Sequence, residues 1–222
     1  MDAVIGQFFN MTIMASALPL VLRGLGMTLV VCAVVIPLGL AGGLLVALAM
    51  GVRFAAVRAV VAALIDFFRA VPPLVLLIFI HAGLPFAGVR PSAFVSVCLA
   101  FFLNNSAYYG EIYRAGIDSV GRGQWEAARS TGLGAVATIV YVVLPQAVRN
   151  VLPDLISNTI EVVKLTSIAS VVSFPELLYS ADMARSLTFN SSPVVLAAVI
   201  YILVLWPLVR LVSRLERRVA AH

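Results

Sequence analysis

Long apolar runs separated by short polar connections dominate the chain from residue 24 onward. Every residue between Arg23 and Arg53 is uncharged. That run is long enough for one crossing, since about 20 mostly apolar residues span the hydrocarbon core of a bilayer. The pattern predicts five membrane-spanning helices, at about residues 24–50, 60–82, 91–110, 154–178 and 192–209.

Two other apolar stretches are too short to be spans. Residues 1–23 predict an external or interfacial N-terminal segment, because the apolar part at 8–22 contains Asn10 and Pro19. Residues 133–148 predict a lateral helix outside the bilayer core, since this run is short and ends near Pro145. Residues 1–222 are therefore interpreted as a single transmembrane domain.

Composition agrees with lipid as the main solvent. Hydrophobic residues make up 62% of the chain and charged residues only 11%, against roughly 25% charged residues in a typical soluble domain. The net charge of +5 does not indicate a nucleic-acid-binding face, because the basic residues lie at the ends of apolar runs. The fold class predicted is an all-α polytopic membrane protein.

The distribution of arginine predicts the orientation, since cytoplasmic loops retain Lys and Arg. The first and third connections and the segment after the last span hold most of them, whereas the connections on the other side hold only Arg90 and Arg185. The N-terminus is therefore predicted to be external and the C-terminus cytoplasmic. The arginines that carry this prediction are Arg53, Arg58, Arg114, Arg122, Arg129, Arg149, Arg210, Arg214, Arg217 and Arg218.

Polar side chains inside the predicted spans are candidate functional residues, because they are costly in lipid. Glu161 and Lys164 stand three residues apart and can pair on one helical face. They form either a structural ion pair or part of a substrate path that complements an amino-acid zwitterion. Asn104 and Asn105 either hydrogen-bond between helices or contact the substrate.

Pro72-Pro73 interrupts the second predicted span and is a candidate gating or kinked element, because the prolines free backbone groups that need new partners. Asp66 and Arg69, three residues apart just before this break, are expected to pair with each other.

An enzyme is disfavoured by the residues present. The histidines are His81 and the terminal His222, and neither has an acid at ligand spacing. Cys32 and Cys98 lie in apolar runs without metal-ligand spacing, and no metal site is expected. The single lysine follows a valine, so the chain has no phosphate-binding loop of the Gly-Lys-Ser/Thr type.

The connection between the third and fourth spans, at about 119–146, is unusually polar. Glycines flank the run Gln124-Trp125-Glu126-Ala127-Ala128, and Gly132 closes it, which predicts a helix of two to three turns. We expect Trp125 to be exposed on this helix. Such a helix docks into a partner's groove or lies at the membrane interface.

This connection resembles the EAA loop of bacterial ABC-importer permeases. That loop has Glu-Ala-Ala, three residues, Gly, nine residues, then Ile-x-Leu-Pro. Glu126-Ala127-Ala128, Gly132 and Val142-Val143-Leu144-Pro145 match it, with Val142 in place of Ile. Further matches are typical of the polar amino acid uptake family (histidine, glutamine, arginine and opine type): Leu18-Pro19, Gly24, Thr28, 66–72, 107–114, and Lys164-Leu165-Thr166-Ser167, where Leu165 replaces an acid.

The resemblance implies a type I ABC importer-like fold and a dimeric assembly in the bacterial inner membrane. The chain would form half of the translocation path, with a second copy or a sister permease as the other half. It would bind no cofactor itself, since two ATP-binding subunits would hold ATP and Mg, and an external solute-binding protein would deliver the substrate. The alternative is a secondary transporter or channel driven by an ion gradient, for which the intramembrane carboxylates could relay protons.

Overall fold

The computed structural model describes the backbone of residues 2–219 and the side chains of residues 4–214. Within residues 2–219 the chain is helical, with no strand, and the predicted all-α class is confirmed. The α-helices are α1 (Asp2–Phe8), α2 (Met11–Met50), α3 (Ala55–Ala70), α4 (Pro73–Ile78), α5 (Ala93–Asp118), α6 (Arg122–Ser130), α7 (Ala135–Thr138), α8 (Leu144–Asn150), α9 (Leu152–Leu165), α10 (Leu177–Thr188) and α11 (Ser192–Val219). Wider π turns occupy Phe79–Gly83 and Ile139–Val143, and 3-10 turns occupy Leu84–Ala87 and Thr166–Val172.

The chain divides into two compact units, each assembled from separate stretches of sequence. The first unit contains Met1–Ile36, Pro72–Phe101 and Ile160–Arg210. The second unit contains Pro37–Val71, Phe102–Thr159 and Leu211–His222.

Among the described residues, three helical segments are long and apolar enough to cross a membrane: Val4–Met50, Leu152–Val172 and Ser192–Arg214. A fourth is counted if Ala55–Ala70 and Pro73–Ala87 are taken together as one broken span. Helix α5, the predicted third span, is long enough but is not among them, because Asn104 and Asn105 lower its mean hydropathy. The number of five spans therefore stays a prediction.

The helix that contains the first predicted span starts earlier than the expected boundary at residue 24. Helix α2 begins at Met11 and continues unbroken for 40 residues, about twice the length of a single crossing. Residues 11–23, predicted as a separate segment, are its first turns. The physical reason is packing: Ala17 and Val21 on these turns are buried in the core of the first unit, against Leu177 and Ala181 of α10.

The fourth predicted span, 154–178, is also built differently. Helix α9 ends at Leu165 and tightens into the 3-10 turn Thr166–Val172, after which Glu176 caps a new helix. Arg217 and Arg218, which contribute to the predicted orientation, lie outside the described side chains.

Glycines set the contact between α2 and α5 in the second unit. Gly39 and Gly43 are one turn apart on α2, as in the small-xxx-small contacts of membrane helices. A Cβ on Gly43 would lie 2.8 Å from the Gly110 backbone nitrogen. A Cβ on Gly110 would lie 2.6 Å from Val46 Cγ1. The two backbones therefore approach closely, and the side chains of Val46 and Tyr109 pack directly over the glycines.

The substitution Gly43→Ala should lower the stability of the protein by about 1–3 kcal/mol, the usual cost of forcing an extra carbon into a packed contact. The measurement is the thermal unfolding midpoint in detergent. Gly26→Ala is the matched control on the same helix, because a Cβ at Gly26 meets nothing within 4 Å. An equal loss in both variants would show that the close contact is not responsible.

Candidate functional site

Helix α6 ends in a Schellman motif built on Gly132. Gly132 N donates to Arg129 O at 3.0 Å, and Leu133 N donates to Ala128 O at 3.3 Å. Gly132 has a φ of +85°, a left-handed conformation that glycine adopts without the penalty that a Cβ brings. Gly132, which three residues separate from Ala128, is therefore the residue that ends the helix and turns the chain.

The faces of α6 are sharply divided. Ala128 is buried, and Trp125 is half-buried against the cluster of Val120, Val143 and Ala147. The expectation of an exposed Trp125 was therefore wrong: the indole packs on the protein's own helices, because α5 and the segment before α8 converge there. The outer face carries the exposed side chains of Glu126, Ala127 and Arg129, and Gln124, one turn before Ala128, is exposed at the edge of the inner face.

Pro145 shapes the second half of the loop. It has no N–H to donate to Tyr141 O, and its ring would collide with that carbonyl in a regular helix. The chain widens into the π turn Ile139–Val143, where Leu144 N donates to Ile139 O. Leu144 is half-buried and Pro145 is exposed.

A side-chain bridge joins the two halves of the loop. Gln146 Nε2 donates to Val142 O at 2.8 Å and to Gln124 Oε1 at 3.3 Å. The structure thus brings Gln124 together with the segment around Leu144 and Pro145.

Side chains of α5 supply hydrogen-bond donors to the backbone carbonyls that the helix break at Pro72-Pro73 leaves free. Helix α3 ends at Ala70 and α4 begins at Pro73. Because neither proline has an N–H, Phe68 O and Arg69 O lose their helical donors. On α5, Asn104 Nδ2 donates to Phe68 O at 2.9 Å.

Tyr108, one turn beyond Asn104, approaches the second freed carbonyl. Its hydroxyl lies 3.5 Å from Arg69 O, a long contact, and the Arg69 guanidinium lies 5.5 Å from the centre of the Tyr108 ring. One face of α5 therefore covers the open end of α3. A gating role of Pro72 and Pro73 stays a prediction.

A row of ion pairs continues along α5. Arg114 binds Glu111 through two nitrogens, at 2.9 and 3.0 Å, and Asp118 at 3.1 Å. Arg69 Nη1 lies 3.6 Å from Glu111 Oε2. The expected partner of Arg69 was Asp66, and this was wrong: among the described ion pairs Arg69 pairs with Glu111, since α5 lies against the end of α3.

The Glu111 carboxyl lies just beyond the predicted third span. Its hydrogen bonds from Arg114 and the charges of Arg114 and Arg69 outweigh its partial burial, so its pKa is below the ordinary value. The carboxylate is therefore held in its charged form.

Two of the candidate path residues lie on the surface of the first unit. Glu161 and Lys164 are paired, and their side chains are 65% and 49% exposed. Asn105, in the second unit, is buried beside Gly39, with its Cβ 3.5 Å from the position of a Cβ there. A contact of Glu161, Lys164, Asn104 or Asn105 with substrate stays a prediction.

A buried carboxylate in the first unit was missed by the sequence analysis. Glu176 is fully buried and accepts hydrogen bonds from Leu178 N at 2.8 Å, Tyr179 N at 2.7 Å and Tyr201 Oη at 3.2 Å. It caps the N-terminus of α10 and ties it to α11. A single glutamate after Pro175 does not indicate a buried carboxylate in the sequence, because its partner Tyr201 is 25 residues away.

The N-terminus of α10 also contacts α2 closely. Thr28 Oγ1 accepts a hydrogen bond from Leu177 N at 3.1 Å, and a Cβ on Gly24 would lie 2.7 Å from Glu176 O. Gly24 and Thr28, quoted above for their resemblance to a family pattern, therefore have a structural role in this packing.

Among the described residues no three His, Cys, Asp or Glu side chains come together in an arrangement that could hold a metal ion.

Comparison with known proteins shows the family of this chain. Residues 39–221 match the family model described as "Binding-protein-dependent transport system inner membrane component". The chain is 36% identical over 194 residues to YckA of Bacillus subtilis (strain 168), a probable amino-acid ABC transporter permease, with 87% of this chain and 86% of YckA covered. It is 28% identical to the arginine transport system permease ArtQ of the same organism, covering 92% and 94% of the two chains.

Solved structures agree with the fold. A crystal structure of an amino acid ABC transporter with histidines matches at 36% identity with a TM-score of 0.84, covering 92% of this chain and 96% of that chain. An inward-facing structure of the MetNI methionine ABC transporter matches at 17% identity with a TM-score of 0.76, covering 90% and 96%. The second likeness concerns the fold alone.

The substitution Asn104→Leu should lower stability by about 1–2 kcal/mol, because Phe68 O loses its donor while the side-chain volume is kept. Ser106→Ala is the matched control on the same helix, since the buried Ser106 hydroxyl has no hydrogen-bond partner among the described residues. Thermal unfolding in detergent measures both. If Ser106→Ala cost as much as Asn104→Leu, capping of the α3 carbonyl would not be the reason.

Proposed function

Because the chain belongs to the family of inner-membrane components of binding-protein-dependent transport systems, we propose that it is the permease subunit of an ATP-driven amino-acid importer. Members of this family are non-catalytic, multi-pass inner-membrane subunits that work with a separate ATPase and a solute-binding protein. An amino acid as the transported solute is supported by relatives that are named as amino-acid, glutamine and arginine permeases.

The observation that carries the proposal is the geometry of α6. Its inner face is anchored by Trp125 and Ala128, its end is closed by Gly132, and its outer face presents Glu126. A short helix held rigidly from behind, with a polar face outward, suits docking into a groove of the ATPase. The segment that contains Leu144 and Pro145 is joined to α6 by the packing of Trp125 on Val143 and by the Gln124–Gln146 bridge.

The proposed path for the solute runs past Glu161 and Lys164. This exposed ion pair lies on an apolar helical segment, Leu152–Val172, which is long enough to span the membrane. Facing lipid, the pair would be costly, whereas a water-filled path between this chain and a second permease would keep it solvated. That second permease is another copy or a sister chain, and the positions of the arginines support an external N-terminus.

Two substitutions on α6 should weaken retention of the ATPase in co-purification by about tenfold or more, that is by about 1.4 kcal/mol. Glu126→Lys reverses a charge on the outer face. Gly132→Val places a β-branched residue at positive φ and distorts the end of the helix.

The matched controls are Asp182→Lys, a charge reversal at another exposed carboxylate, and Gly134→Val, at a glycine with a φ of −64° and open space around it. Both should retain the ATPase. If the unaltered chain bound no ATPase and moved a solute on an ion gradient alone, the importer proposal would give way to a gradient-driven carrier.

Glu161→Gln should raise the apparent KM for uptake by about tenfold or more, since a charged hydrogen bond contributes about 1.5–3 kcal/mol. Retention of the ATPase should be unchanged. Asp182→Asn, which breaks the other exposed acid–base pair of the first unit, should leave uptake as it was. Unaltered uptake and KM in Glu161→Gln would remove this residue from the path.

A further inference from the structure

A cavity of about 670 Å³ lies behind α6, entirely within the second unit. Its walls are mostly apolar and come from the end of α2 at Leu48 and Met50, from Ile117 on α5, from Trp125 on α6, and from Val140 in the π turn. The volume is within the range of ligand pockets that hold a molecule of small to moderate size. Walls of this kind suit an apolar ligand group.

The cavity lies where a span ends. Helix α2 is apolar up to Met50, and the next residues, Gly51 and Val52, also line the cavity before Arg53 follows. A long apolar helix leaves the hydrocarbon at the level of the lipid headgroups. The mouth of the cavity is therefore expected at that level.

Positive charge without a carboxylate partner lies next to the lining residue Val52. Arg58 Nη1 donates to Val52 O at 2.9 Å and to Arg53 O at 3.1 Å, so the guanidinium lies beside this part of the lining. Arg53 and Arg58 are exposed, and no ion pair joins either of them to a carboxylate among the described side chains. The charged residues of the wall itself, Arg114 and Asp118, are different, because they pair with each other and Arg114 also binds Glu111.

We propose that this cavity binds an anionic phospholipid, with an acyl chain inside and the phosphate at Arg53 and Arg58. A free inorganic anion would leave the apolar walls unused, and a zwitterionic lipid would bring its own ammonium group next to two arginines, which an anionic lipid does not. Anionic lipids are concentrated in the cytoplasmic leaflet. The proposal rests on the proposed orientation of the chain and is independent of ATPase binding.

A bound acyl chain would lie directly against Trp125 and Leu144, the inner supports of α6. The lipid would therefore fill the space behind the surface proposed to meet the ATPase. Lipid composition should then affect how firmly α6 is held.

The test uses the fluorescence of Trp125, since the chain has two tryptophans and Trp206→Phe leaves Trp125 alone. The full chain is reconstituted into vesicles of phosphatidylglycerol and phosphatidylcholine, with bromine on the acyl chains of one lipid or the other. The lipid composition is then the same in both samples, and only the lipid that carries the bromine quencher differs. Brominated phosphatidylglycerol should quench Trp125 with about fivefold preference over brominated phosphatidylcholine, the effect of about one arginine at a membrane surface.

Arg53→Gln and Arg58→Gln together should abolish this preference. Arg149→Gln, an exposed arginine of the same unit that does not line the cavity, should keep it. Val140→Phe, which fills the cavity, should reduce quenching by both lipids.

Three results would overturn the proposal: no quenching, equal quenching by both lipids, or a preference that survives the double substitution of Arg53 and Arg58 by Gln. A fourth would be loss of quenching when the ATPase is added, since the cavity would then belong to that subunit. Failure of the importer proposal is seen separately, in the co-purification, because the lipid preference is measured on the permease alone.

Discussion

A helix that stops in apolar surroundings leaves backbone carbonyls that must find donors elsewhere in the protein, and this constraint organises much of the second unit. At Pro72-Pro73 two carbonyls lose their helical partners at once. Asn104 and Tyr108 of α5 approach them, and Arg69 turns from there toward Glu111. The polar residues that make α5 less apolar than the other spans therefore have a structural reason to be there.

Backbone groups at other helix termini find partners in two other ways. At the end of α6 the carbonyls accept from the backbone of the turn at Gly132 and from the nearby hydroxyls of Ser130 and Thr131, and this leaves the outer side chains free for a partner. At the start of α10 the groups are N–H donors, and the Glu176 carboxylate accepts hydrogen bonds from two of them and from the Tyr201 hydroxyl. The arrangement at α6 leaves the outer surface of that helix exposed, and the carboxylate at α10 fixes the start of that helix inside the first unit.

The features that could be predicted from sequence are local ones. The glycine that ends α6 and the disturbance caused by Pro145 depend on residues within a turn or two of each other. The burial of Trp125 and the pairing of Arg69 with Glu111 were predicted wrongly, because they depend on which faces of non-adjacent helices meet. The length of α2 was underestimated for a related reason: tertiary packing stabilises its first turns despite Pro19.

The glycine contact between α2 and α5 has a mechanical consequence. Where two backbones come this close, with Val46 and Tyr109 packed tightly over the glycines, there is little room for one helix to slide along the other. The part of α2 around Gly43 and the part of α5 around Gly110 should therefore behave as a single stiff beam. Any motion during a transport cycle that passes through this unit has to be absorbed at the ends of the beam, in the segments where the helical hydrogen bonding is already interrupted.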